Sequence, residues 1–157
     1  MLLKTIVEED IVNYKKIAMF IAFPNCTFKC EKECGIKCCQ NSELALQENI
    51  SVDINTIVDR YVFNPLTQAI VYGGLEPLDS WEDLKELTLK IREKTNDDIV
   101  IYTGYKEEEI TDKIKYLQQY PNIIIKFGRF VPNRSQHLDP ILGVKLASDN
   151  QYAKKVS

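Results

Sequence analysis

Four short apolar runs, each closed by a turn-forming residue, alternate along the chain with stretches whose apolar positions recur every three or four residues. The runs are residues 17–23, ended by Pro24; 69–72, ended by Gly73-Gly74; 99–102, ended by Thr103-Gly104; and 122–127, ended by Gly128. Bulky apolar runs of this length, bounded by such residues, predict strands. Helical spacing joins Val52, Ile54, Ile57, Val58, Tyr61 and Val62 over 52–62, and Trp81, Leu84, Leu87, Leu89 and Ile91 over 81–91. It recurs in Ile110, Ile114, Leu117 and Tyr120 over 110–120, so three helices are predicted.

Strands that alternate with helices imply a parallel sheet, and nearly continuous apolar strands fit one that is covered on both faces or curled around a packed interior. Ligands of such sheets gather at the C-terminal ends of the strands. Here those ends carry Pro24 and the residues after it, Gly73-Gly74-Leu75-Glu76-Pro77, Thr103-Gly104-Tyr105 and Gly128-Arg129. The segment 131–157, with Pro132, Pro140 and Gly143, carries no such periodicity and reads as irregular. No linker or repeat divides residues 1–157, which read as one domain.

Composition narrows the class. An apolar share of 45% can bury a real core, and the longest apolar run, 17–23, is far short of the ~20 residues that span a bilayer. Glu8, Glu9 and Asp10 follow a short apolar patch where a signal peptide would need a basic start and small residues, so the expected location is cytoplasmic. Twenty basic against 23 acidic residues, a net charge of −3, provide no general attraction for nucleic acid.

The chemistry concentrates in residues 24–42, where all five cysteines, Cys26, Cys30, Cys34, Cys38 and Cys39, fall within a Lys/Glu-rich stretch. In a reducing compartment such a cluster points to metal rather than to disulfides or apolar filler. Spacing by four would line Cys26, Cys30, Cys34 and Cys38 along one helical face, but Pro24, Gly35 and the weak helix formers Thr27-Phe28 argue for a loop wrapped around a metal centre. Tetrahedral zinc would use four ligands and leave none to react, whereas an iron–sulfur cluster can be held by thiolates of a single loop. Zinc ribbons usually draw ligand pairs from two knuckles, and this chain has no second pair; its lone histidine, His137, reads as a surface or capping residue. Arg129 and Arg134 read as solvated, and Tyr72, Trp81 and Tyr102 as core or rim packing.

Cys26-Thr27-Phe28-Lys29-Cys30 after an apolar strand, followed by Cys39-Gln40-Asn41-Ser42, resembles the cluster loop of radical S-adenosylmethionine enzymes, specifically the small activating proteins of anaerobic ribonucleoside-triphosphate reductase. Further motifs resemble that family in order: Gly73-Gly74-Leu75-Glu76-Pro77 its Gly-Gly-Glu/Asp-Pro element, Tyr102-Thr103-Gly104-Tyr105 its Tyr-Thr-Gly-Tyr, Phe127-Gly128-Arg129-Phe130 its Asp-Gly-Arg-Phe turn, and Ser148-Asp149-Asn150-Gln151 its terminal Ser-Asn-Gln. The chain departs from the family in the cysteine spacing, which makes residues 31–38 an insertion and Cys34 and Cys38 extra, in the added Leu75, and in Lys126-Phe127 where the family has an acidic residue.

The resemblance implies that Cys26, Cys30 and Cys39 hold a [4Fe-4S] cluster whose open iron chelates S-adenosylmethionine, with Cys34 or Cys38 as alternatives to Cys39. It implies cofactor contacts from Cys38, where the family often has an aromatic beside the adenine, from Gln40, and from Thr103, Gly104, Asn150 and Gln151. Gly73 and Gly74 would let backbone approach the ligand ammonium, and Glu76 would add a carboxylate acceptor. One electron from a flavodoxin-like or ferredoxin-like donor would cleave the sulfonium and release a 5′-deoxyadenosyl radical, which abstracts hydrogen from a glycine of a large glycyl radical enzyme. A closed eight-stranded barrel needs ~200 residues or more, so the expected fold is an incomplete, laterally open parallel (β/α) barrel of about four to six strands, open to a bulky protein substrate. The alternatives are activation of a different glycyl radical enzyme and a non-catalytic, zinc-stabilised adaptor.

Overall fold

The computed structural model describes all 157 residues. The strands are β1 (Leu2–Leu3), β2 (Thr5–Asp10), β3 (Ala18–Phe23), β4 (Ile50–Ser51), β5 (Ala69–Gly74), β6 (Asp98–Tyr102), β7 (Ile123–Phe127), β8 (His137–Asp139), β9 (Val144–Leu146) and β10 (Tyr152–Lys155). The helices are α1 (Lys29–Cys34), α2 (Ser42–Leu46), α3 (Ile54–Phe63), α4 (Trp81–Arg92) and α5 (Thr111–Leu117), with single 3₁₀ turns at Pro77–Ser80 and Glu107–Glu109. None of the helices is long and apolar enough to cross a membrane.

Six strands form one sheet in the order β10-β7-β6-β5-β3-β2. The four runs read from the sequence, β3, β5, β6 and β7, are its parallel centre. Because each of these strands is laid beside the previous one without reversal, its crossovers stack on one face: Ile57, Val58, Leu84, Leu87, Ile91, Ile114 and Leu117 join Ile70, Tyr72, Ile99, Ile101, Ile123 and Ile125 in a single 22-residue core. Alternate strand residues, Ala69, Val71, Val100 and Ile124, face the other way into a smaller cluster of nine, closed by Tyr14, Leu142 and Leu146 rather than by helices.

Two features differ from the expectation of a purely parallel sheet. Its edges, β2 and β10, run antiparallel to β3 and β7, and they lie at opposite ends of the sheet, which does not close. β2 reads Thr-Ile-Val-Glu-Glu-Asp and β10 Tyr-Ala-Lys-Lys; charge suits an edge strand, which must discourage further pairing, and it also masks the strand in a search for apolar runs. The C-terminal segment expected to be irregular contains β10 and the β8–β9 hairpin. The hairpin brings Val144 and Leu146 over the helix-free face, so the segment is a cover for the sheet.

Candidate metal centre

The register of β3 with β5 sets Ala22 opposite Gly73 and Phe23 opposite Gly74, so the cysteine segment leaves the sheet beside the glycine pair. It is stitched there by Leu75 N–H to Phe23 O (3.3 Å), Glu76 N–H to Asn25 O (2.8 Å) and Thr27 N–H to Asp79 Oδ2 (2.9 Å). Phe28 adopts left-handed φ/ψ (52°, 40°) and presents its N–H to Cys26 Sγ at 3.2 Å. The continuous loop expected over 24–42 is interrupted by the helix α1, which places Cys30 in its first turn and ends at Gly35 (φ 72°). Gly35 donates its N–H to Glu31 O at 2.9 Å. The chain then folds back, Glu31 Oε1 accepting the Cys39 N–H at 3.2 Å, and Asn41 Nδ2 donates to Gly74 O at 2.6 Å.

These constraints build a cavity of about 350 Å³ at the C-terminal ends of the parallel strands, a size suited to a small-molecule ligand. Cys26, Cys30, Cys39 and Gln40 wall one side, Gly73 and Gly74 another; Phe20, Tyr102 and Lys126 rise from the helix-free face, and Val144 and Leu146 lean in from the hairpin. Glu76, Thr103, Gly104 and Gln151 also reach it. Two residues read as cofactor contacts do not. Cys38 lies off the wall with its Sγ 2.8 Å from that of Cys34, and the Asn150 side chain donates to Arg129 O at 2.8 Å, bracing the turn after β7.

Several wall residues are committed to one another. Thr103 Oγ1 donates to Glu76 Oε1 (2.8 Å), Gly104 N–H to Glu76 Oε2 (2.8 Å), and Leu78 N–H to Glu76 Oε1 (3.1 Å). The Thr103 hydroxyl, which also accepts from Tyr105 N–H at 3.0 Å, therefore ties β6 to β5 instead of waiting for a ribose. Gln151 is likewise used at both ends, Oε1 accepting from Ser148 N–H at 3.1 Å and Nε2 donating to Gly128 O at 3.2 Å. Burial raises the Glu76 carboxyl to about 7 against the pull of its three donors. Burial also raises the thiols of Cys26, to about 11, and of Cys30, and it lowers the Lys126 ammonium to about 8.

Arg129 is not the solvated arginine expected from sequence. Its side chain is 4% exposed, Nη1 and Nη2 clasp both oxygens of Glu109 at 2.8 and 2.7 Å, and Nε lies 3.3 Å from Glu33 on α1. Lys29, also on α1, lies 3.8 Å from Glu109. The polar residues between the cysteines thus bolt α1 to the rim. Sequence reasoning missed Glu31 and Glu33, whose Lys/Glu-rich context reads as a solvated loop. Lys126 had a visible signal, a lone cation inside the apolar strand Ile-Ile-Ile-Lys-Phe.

No three His, Cys, Asp or Glu side chains converge as one metal ion would require. A four-iron cluster presents separate corners, so its thiolates stand further apart, and a cavity flanked by three cysteines fits it better than a single tetrahedral ion. A cysteine-walled cavity at the ends of the parallel strands of a mixed α/β sheet suits an iron–sulfur protein. A family model described as a 4Fe-4S single cluster domain matches residues 15–151, and the chain belongs to that family. Comparison with curated proteins and with solved structures gives no match.

Proposed function

We propose that the chain is a minimal radical S-adenosylmethionine activase that installs a glycyl radical on a large partner enzyme, an anaerobic ribonucleoside-triphosphate reductase. The observation that carries this reading is the gathering of Cys26, Cys30 and Cys39 with Gly73 and Gly74 around one cavity, while Cys34 and Cys38 pair off outside it. Cys26, Cys30 and Cys39 would hold the cluster. When bound, the cluster supplies the electron that splits the sulfonium of S-adenosylmethionine.

The protein's part is to bind, orient and exclude water. Gly73 and Gly74 keep side chains out of the way of the ligand, and Gln40 offers an amide from the cysteine side. Glu76 holds the β6 turn through Thr103 and Gly104, and Oε2, which takes one donor, can accept a second from a ligand ammonium. The hairpin residues Val144 and Leu146 screen the helix-free face. Gln151 and Asn150 act one step back, fixing the Gly128-Arg129 turn. A flavodoxin-like or ferredoxin-like protein would deliver the electron.

Anaerobic reconstitution with iron and sulfide, followed by reductant and S-adenosylmethionine, tests the reading. The expected result is a brown protein that forms 5′-deoxyadenosine and, mixed with the reductase, a glycine-centred radical in its electron paramagnetic resonance spectrum. A radical on a different glycyl radical enzyme would redirect the partner. A colourless protein carrying stoichiometric zinc would replace the activase with an adaptor.

A further inference from the structure

Three cations other than the exposed Lys145 line the cavity, and two of them are already neutralised by carboxylates: Arg129 by Glu109 and Glu33, and Lys29 by Glu109. Lys126 is different. It projects from the C-terminal end of β7, is 6% exposed, and gives one hydrogen bond, to Gly128 O at 2.9 Å. It takes part in none of the chain's ion pairs. Cys30 and Glu76 are the acidic groups whose charge could reach it, but burial holds both toward their neutral forms, and Glu76 is occupied by Thr103, Gly104 and Leu78. A buried ammonium with one carbonyl acceptor is costly unless a counter-charge meets it.

We propose that Lys126 is a built-in counter-charge for the iron–sulfur cluster, holding its reduction potential up by stabilising the reduced form. A thiolate-held cluster is net negative, and reduction adds one electron without making or breaking a bond. A fixed cation on the cavity wall therefore favours the reduced state, and more strongly where burial thins the solvent screening. Because Lys126 rides on β7, a strand paired on both sides, by β6 and β10, its charge cannot swing away as a loop lysine could.

The inference rests on the cluster occupying this cavity and not on S-adenosylmethionine, so it survives a failure of the activase reading. It is tested by a one-electron redox titration of the reconstituted protein with dithionite, following visible absorption, for Lys126→Met, Lys126→Gln, Lys126→Arg and a control, Lys94→Met, at an exposed lysine outside the cavity. The neutral Lys126 variants are expected to keep their iron but hold about tenfold less reduced cluster at a given poise, a midpoint about 59 mV lower for a one-electron couple. Lys126→Arg and Lys94→Met should stay near the wild-type value. Unchanged potentials in the iron-loaded neutral variants, or a fall in Lys126→Arg as large as theirs, would overturn the proposal. If both neutral variants lose iron while Lys126→Arg retains it, the charge requirement stands. If all three lose iron, the side chain serves packing and the proposal fails.

Discussion

The Thr103 hydroxyl donates to Glu76 Oε1 at 2.8 Å, joining the ends of two parallel strands beside the cysteines. The carboxyl in that bond is 5% exposed, and burial lifts it from 4.5 to about 7. In the unfolded chain it ionises first, so between those values the native state binds more protons and stability falls as pH rises. The contribution is full below pH 4.5, is lost on passing through 7, and amounts to roughly 3 kcal/mol. Unfolding free energies of wild type and Glu76→Gln, measured from pH 5 to 8, should show the wild-type advantage shrinking across that range. A pH-independent difference would mean that Glu76 ionises normally.

Cysteine roles separate cleanly in the geometry. Single Cys→Ala changes at 26, 30 and 39 should abolish iron retention, whereas those at 34 and 38 should leave it, because only the first three wall the cavity. Iron per chain and the visible spectrum after anaerobic reconstitution provide the check. Loss of cluster from Cys34→Ala or Cys38→Ala would move the site away from Cys39.

Glu31 Oε1 accepts the Cys39 N–H at 3.2 Å and closes the loop that returns Cys39 to the cavity. Glu31→Ala should lower cluster retention several-fold without changing the secondary structure seen by circular dichroism, and Glu31→Gln, which still offers an oxygen, should retain more. Equal retention in all three proteins would leave Glu31 without this role.

Arg129 fastens Glu33 of α1 and Glu109 to the end of β7, and its bonds hold the Glu109 carboxyl down to about 2. Removing a charged, bidentate partner from a nearly buried site should cost about 2 kcal/mol, discounted because Glu109 is partly solvated. Urea unfolding of Arg129→Ala should show this loss. Lysine cannot reproduce the fork, so Arg129→Lys should recover only part of it.

Gly74 and Gly73 should respond differently to alanine. At Gly74, φ is 88° and an added Cβ would lie 2.8 Å from Ala22 Cα and 2.9 Å from Phe23 N, backbone that cannot retreat without breaking the β3–β5 pairing. At Gly73 the nearest obstacle is the Phe20 ring at 2.6 Å, which can turn. Gly74→Ala should therefore destabilise by about 2 kcal/mol or more, and Gly73→Ala by less, in the same urea assay.

Much of the scaffold was legible because apolar periodicity reports burial directly. The runs at 69–72 and 99–102 are parallel strands, and the helical spacings of Ile57 with Tyr61 and of Leu84 with Leu87 and Ile91 mark the faces that enter the large core. The antiparallel edges escaped notice since an edge strand needs charge more than apolar bulk, as Glu8, Glu9, Lys154 and Lys155 illustrate.

The site was legible in kind but not in wiring. Five cysteines within residues 26–39 announce a metal centre from residue type alone, and the glycine pair at a strand end marks where a ligand can approach. Which sulfurs share the cavity, that Glu76 is spent on Thr103 and Gly104, that Arg129 is buried, and that Lys126 stands there without a carboxylate were decided only by the folded chain. Alternation and residue type act locally and survive in one dimension. Desolvation and partnership depend on which distant segments meet, and for Lys126, Glu76 and the cysteines that meeting happens only when β3, β5, β6 and β7 align their ends.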